Sequence, residues 1–380
     1  MKPSCLVRAC VVAWGMTLGL AGVAAQAALP SVPQSDAEVI ETLRDRPLSD
    51  AERAWRKLRA QARAHPGDVT LATQVAWQAV RWARQDGDVR WLGQAQAALA
   101  PWWAMAAPPY EVRLLRATIL QSTHDFDAAL KDLRALVQQQ PMQAQAWLTL
   151  ASVLQVTGRY EDVPAACAGV SSAGAKVPAQ ACEAEWMSMT GRSDEAQAIL
   201  QGLASSVPRD MRAYLGVVQA ELAERLGQAG RAEALYRTVL LTESDSYAEV
   251  AYADFLLDQG RATEVIERLQ GRERNDALLL RLAEAYAMTR HSAADRAIQA
   301  LRARFAAAHE RGDSVHRREE ARFTLRLLKQ ANRARVLALQ NWQVQKEPAD
   351  ARILLEAARA AKRPDAALAA KAFMTKWAWR

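Results

Sequence analysis

Apolar residues recur three and four places apart along nearly the whole chain, and strict alternation of apolar with polar positions is scarce. Such spacing lays one apolar stripe along each of many helices, so the expected class is all-α. A slower period groups those helices in pairs. Counted from residue 110, Ala117 falls at position 8, Leu120 at 11, His124 at 15, Phe126 at 17, Ala129 at 20, Leu133 at 24 and Pro141 at 32. Counted from 144, Trp147, Ala151, Leu154, Gly158 and Tyr160 fall at 4, 8, 11, 15 and 17. Starts at 177, 213 and 246 repeat the register through Ala184, Gly191 and Ala196, then Ala220, Gly227 and Ala232, then Ala253, Gly260 and Val265.

Each unit therefore reads as two antiparallel helices joined by a tight turn. Small side chains at 8 and 20 let the two backbones approach, and large ones at 4, 11, 17 and 24 fill the space around the crossing. Glycine at 15 supplies the positive φ that ends the first helix, and proline near 32 stops the second. One hairpin cannot cover its own apolar face, so neighbours must stack into an α-solenoid.

This pattern resembles the tetratricopeptide (TPR) repeat, with five units in agreement over residues 110–260 and a core of repeats spanning 110–275. Armadillo and HEAT units need a longer period of roughly 40–47 residues. The resemblance implies a right-handed superhelix whose first helices line a concave groove, faced by positions 2, 5, 9, 12 and 13. In the first unit those positions include Leu114, Thr118 and Gln121, and in the second Leu148, Ser152 and Gln155. The third offers Glu185 and Met189, the fourth Tyr214, Glu221 and Glu224, the fifth Tyr247, Asp254 and Asp258, and a weaker sixth Glu284. The branch of the family that grips a C-terminal carboxylate uses Lys at 5 and Asn at 9. Here those places hold Leu114 with Thr118 and Leu148 with Ser152, so that activity does not transfer. The groove turns from neutral to acidic between Glu185 and Glu284, which selects a basic or amphipathic peptide or protein partner. The plainer account, carboxylates that keep an exposed helix face soluble, stands beside it.

Both flanks continue as degenerate hairpins. Upstream, over 48–109, Ser49-Asp50-Ala51-Glu52 reads as a capping box opening a helix that ends before Pro66, followed by helices near 68–84 and 88–105. Six of the twelve tryptophans fall here: Trp55, Trp77, Trp82, Trp91, Trp102 and Trp103. They fit either helix packing or a partner patch, since adjacent Trp102 and Trp103 cannot both point inward. Downstream, over 276–380, Asp276–Arg290 resembles a sixth first helix and a long second helix starts near Ser292. A pair over Arg317–Pro348 and a last one over Asp350–Trp377 complete a C-terminal cap.

Residues 1–27 have the order of a secretory signal: Lys2 and Arg8, an apolar run from Val11 to Ala25, and the small-x-small site Ala25-Gln26-Ala27. Cys5 and Cys10 precede that run, so the lipoprotein arrangement is missing, and residues 28–47, with three prolines, read as a flexible leader. The expected location is outside the cytoplasm, in a periplasm. Without the signal the formal charge of +7 falls to about +5, with both signs mixed, which is no nucleic-acid footprint. No second long apolar run marks a transmembrane span. Cys167 and Cys182, the two cysteines left in the exported chain, are expected to form a disulfide contributing about 3 kcal/mol.

Catalytic signatures are scarce. GxSxG, HExxH, a phosphate loop and a dinucleotide-binding glycine motif are all missing from the sequence. The densest chemical cluster is HERGDSVHRREE at 309–320, where His309, His316 and Glu320 could ligate a metal, although Gly312-Asp313-Ser314 between them signals a solvated turn. The expectation is a non-catalytic scaffold without cofactor or metal, binding a protein partner for assembly or export in the cell envelope. An accessory subunit or metal-dependent enzyme using 309–320 is the alternative.

Overall fold

The computed structural model describes Ser35 and residues 47–203, 207–208, 211–242, 246–312 and 316–379. The signal over 1–27 and, apart from Ser35 and Pro47, the leader over 28–47 lie outside the described residues. Contacts gather Asp50–Arg380 into one unit, and every regular element described in it is a helix.

Four helices precede the repeats: α1 (Asp50–Ala64), α2 (Val69–Asp86), α3 (Arg90–Ala98) and α4 (Ala100–Trp103). The Asp68 carboxylate caps α2 by accepting from Leu71 N at 3.0 Å. One helix was expected over 88–105, but the chain breaks at Leu99, because Pro101 has no N–H to continue the ladder. Trp55 is buried, edge-on to Trp82 at 5.0 Å and Trp91 at 5.2 Å, so these indoles pin α1 to α2 and α3. Trp102 is buried and Trp103 half-buried, as adjacent positions on one helix require.

Eight hairpins follow. They pair α5 (Tyr110–Ser122) with α6 (Phe126–Gln139), α7 (Ala144–Val156) with α8 (Val163–Ser172), and α9 (Lys176–Ser188) with α10 (Ser193–Leu203). Next come α11 (Arg212–Arg225) with α12 (Ala229–Thr242), α13 (Ser246–Asp258) with α14 (Ala262–Leu269), and α15 (Asp276–Thr289) with α16 (Ala294–Glu310). The last two pair α17 (Arg317–Arg326) with α18 (Ala331–Val344), and α19 (Pro348–Ala360) with α20 (Leu368–Lys376).

The small crossing residues are where the spacing put them. Ala117, Ala184 and Ala220 are fully buried, Ala151 and Ala253 nearly so, and Ala129, Ala196, Ala232 and Val265 face them across the hairpins. Gly158, Gly191, Gly227 and Gly260 all close the first helix with φ between 70° and 77°. The same left-handed residue recurs without glycine, as His124, Arg290 and Lys362. The turn is therefore a property of the hairpin, and glycine only eases it.

Both ends fold back on the middle. Asn275 donates its amide to Asp86 O at 3.1 Å and Ser246 its hydroxyl to Arg84 O at 2.6 Å, which joins α2 to the fifth and sixth hairpins. Lys346 N donates to Val156 O at 2.8 Å, and Trp379 Nε1 to Met189 O at 2.7 Å, which joins the last hairpin to the second and third. The resemblance implies a superhelix with a concave groove along its first helices. The superhelix turns tightly enough for its ends to touch its centre.

Candidate functional site

The first helices of successive hairpins lie side by side, and a polar ladder runs between them. Gln121 on α5 donates to Ser152 on α7 at 3.0 Å. Tyr214 on α11 donates its hydroxyl to Glu185 on α9 at 2.6 Å, and Arg225 donates to Ser188 Oγ at 2.8 Å. Tyr247 on α13 donates to Glu221 on α11 at 2.7 Å. From there the donors change to arginine. Arg281 on α15 holds Asp254 through two bonds of 3.0 and 2.8 Å. Arg322 on α17 holds Glu284 through two more, of 2.6 and 2.8 Å, and also reaches Asp254 at 2.6 Å. Arg326 bridges Glu284 and Glu356 on α19, Arg318 pairs with Glu347, and Arg352 returns from α19 to Asp258.

Sequence position explains the geometry. Residues at 2, 9, 12 and 13 of each unit fall on one face of the first helix, and the neighbouring first helix presents the same face. Arg318, Arg322 and Arg326 follow one another at intervals of four, so α17 turns three guanidiniums to one side. That spacing was readable. The three arginines lie in the degenerate hairpins over 276–380, beyond the groove positions that the five regular units define.

The two halves of the ladder hold charge differently. Burial pushes the Glu185 and Glu221 carboxyls upward against the tyrosine hydroxyls and the Arg225 charge that favour ionisation. Burial likewise pushes Glu224 up to about 7, despite the hydroxyl of Tyr236 donating to it. In the arginine half, burial also opposes charge but loses. Arg281 and Arg322 hold Asp254 well below the usual carboxylate range, and Arg318 with Arg281 brings Glu319 down to about 2. A neutral donor supplies one hydrogen bond, whereas a guanidinium adds opposite charge at close range.

The predicted groove residues divide accordingly. Leu114 and Thr118 are buried between helices, with the Thr118 hydroxyl donating to Leu114 O at 2.9 Å. Their expected place on an open groove is therefore corrected; an apolar side chain beside the crossing packs inward. Glu284 is also buried, closed off by Arg322 and Arg326. Gln121, Leu148, Gln155, Glu185, Glu221, Glu224 and Asp254 are half-buried, and Ser152 is exposed. Met189 sits half-buried under Trp379. Tyr214 and Tyr247 stand out at 46% and 58% exposed, while Asp258 is exposed but paired.

Two further sites were expected. Cys167 on α8 and Cys182 on α9 form a disulfide, with Cα atoms 5.7 Å apart, which staples the two helices together. In the 309–320 segment, His309 Nε2 lies 2.9 Å from a Glu320 oxygen, and Arg333 donates to that carboxylate at 3.0 Å. No group of three His, Cys, Asp or Glu is placed to hold a metal among the described residues, and no described helix is long and apolar enough to cross a membrane.

The sequence matches no protein-family model and no curated protein. Among solved structures it is similar to a tetratricopeptide repeat protein from Parabacteroides merdae, at 20% identity and a TM-score of 0.43 over 66% of this chain and 90% of that one. It is also similar to the TPR domain of P58(IPK), at 15% identity and a TM-score of 0.20 over 82% of this chain and 93% of that one. The fold itself rests on the hairpins and their left-handed turns: the described chain is an all-α solenoid of TPR-like repeats.

Proposed function

We propose that this chain is a non-catalytic protein-interaction scaffold of a bacterial-type cell envelope, holding a flexible protein partner during its assembly or export. Tyr214 and Tyr247 carry that reading. Both rings are about half exposed, and both are fixed in direction by their hydroxyl bonds to Glu185 and Glu221. A tyrosine held this way offers apolar area with little rotamer freedom left to lose on binding. The half-buried carboxyls that hold the rings favour a basic or amphipathic segment, which would add positive charge to that of Arg225 there. The disulfide supports an oxidising compartment, and the signal-like order of residues 1–27 supports export.

A pull-down from envelope extract tests this with the paired substitution Tyr214→Ala and Tyr247→Ala. Losing two ordered aromatics should weaken capture by about 2 kcal/mol, or roughly thirtyfold. Unchanged capture by a variant that melts normally rejects the assignment of these two rings. The metal-enzyme alternative gains no support at 309–320, where His309 and Arg333 already engage the Glu320 carboxylate.

A further inference from the structure

We infer that the turns of the second and third hairpins form a docking site for a short aromatic helix, filled here by the chain's C-terminal strap, α20 with Trp377–Trp379, and open to an equivalent helix of the partner. This rests on the scaffold reading above and names the partner's recognition element.

The site is built for aromatic rings. Tyr160 is almost fully buried, with Trp377 edge-on to it at 5.1 Å and Phe373 at 5.7 Å. Phe373 lies over Gly158, where an added Cβ would come within 2.8 Å of the ring, and Ala378 lies over Gly191 in the same way. Trp379 donates its indole N–H to Met189 O, and Lys376 pairs with Glu161 at the rim. The site therefore reads a helix carrying Phe, then a cation, then Trp-x-Trp.

Elsewhere the strap meets its own neighbours through Phe373, edge-on to Trp342 of α18 at 5.5 Å, and through Met374. Ala370 is the one buried residue of α20, and Leu368 is 62% exposed. The helix before it, α19, buries six residues. The Lys376–Glu161 pair is exposed on both sides and contributes little to holding the strap down. A segment anchored mainly by three rings at its end belongs to the part of a fold that opens first.

The test is a titration with a synthetic Leu368–Trp379 peptide. It should bind the full-length variant Trp377→Ala with Trp379→Ala at least on the order of tenfold more tightly than the unaltered chain, because the resident strap competes. A peptide with both tryptophans replaced should not bind. Failure of the peptide to bind a normally melting double variant overturns the inference. Hydrogen exchange on the unaltered chain gives a second measure should the variant misfold. Amides of α20 should exchange faster than those of α19, and equal protection overturns the idea that the strap leaves. Exchange of straps between two copies, seen as dimers of the unaltered chain, would overturn the foreign partner in favour of a second copy. Loss of peptide binding with intact Tyr214- and Tyr247-dependent capture sinks this inference alone; loss of that capture with intact peptide binding sinks only the earlier one.

Discussion

Hairpins three and four and hairpins five to eight face inward with the same kinds of position, yet they solve the burial of carboxylates in opposite ways. In the first group Glu185 and Glu221 receive tyrosine hydroxyls, and their pKa values rise. In the second group Asp254 and Glu284 receive arginines, and Asp254 is held ionised. The difference shows where cationic chemistry is already satisfied. The acidic stretch expected to attract a basic partner has in its C-terminal half been neutralised by α17 and α19. The tyrosine-held carboxylates have the Arg225 charge beside them but no paired guanidinium, and the exposed rings of Tyr214 and, from hairpin five, Tyr247 stand against them.

The sharpest way to break this comparison is Arg322→Ala. That guanidinium serves Glu284 and Asp254 at once, and its loss leaves buried negative charge without its main partner. Removing one member of such a pair should destabilise by about 3–5 kcal/mol in chemical denaturation. A loss below about 1 kcal/mol would mean that the arginine half is as loosely held as an ordinary surface network.

Glu224→Gln probes the other half through pH. An unfolded Glu titrates at 4.5, and folding raises Glu224 to about 7. A raised carboxyl contributes stability that is complete below pH 4.5 and lost as pH climbs through 7. The amide keeps an oxygen for the Tyr236 hydroxyl and cannot ionise, so the variant should be the more stable chain at pH 8, by up to about 3 kcal/mol. Glu319 runs the other way: depressed to about 2, it contributes stability above pH 4.5 that is lost as pH falls. Melting curves that stay parallel for Glu224→Gln and the unaltered chain from pH 4 to 8 would refute the unmatched-charge account. Tyr214→Phe should do less still. It removes one partly exposed hydrogen bond, about 0.5–1.5 kcal/mol, and an effect as large as that of Arg322→Ala would erase the distinction between the halves.

The hairpins were legible because their cause is local. Ala117, Gly158 and Tyr160 announce a crossing, a turn and a filler at intervals that any α-hairpin of this length needs. The ladder was legible only by half. Counting positions found Glu185, Tyr214, Glu221 and Asp254, but a count along one helix cannot say which guanidinium arrives from a helix many residues away. The same limit hid the strap. Trp379 touches Met189 and Lys376 touches Glu161 across about half the length of the chain, and no periodic signal links those places. Leu114 and Thr118 went inward because a groove position borrowed from a family average does not know how closely the neighbouring unit packs.

The smallest expected effect concerns the turns, which change from glycine to cations after hairpin five. Hairpins two to five close on glycine, whereas the sixth and eighth close on Arg290 and Lys362 at φ of 56° and 55°. A left-handed residue with a Cβ is strained by roughly 1–2 kcal/mol, and a cation at a helix C-terminus recovers about 0.3–1 kcal/mol through the helix dipole. In the arginine-rich half the turns at Arg290, Lys329 and Lys362 thus carry charge, while hairpin five still closes on Gly260 as the tyrosine half does. Lys362→Gly should relieve the strain and forfeit the dipole contact, for a net stabilisation of a few tenths of a kcal/mol to about 1 kcal/mol. A thermal melt in low and high salt separates the two contributions, because salt screens the charge and leaves the backbone strain untouched. The gain should grow as salt rises. A variant that is less stable than the unaltered chain in high salt would show that Lys362 holds the last hairpin by something other than its turn.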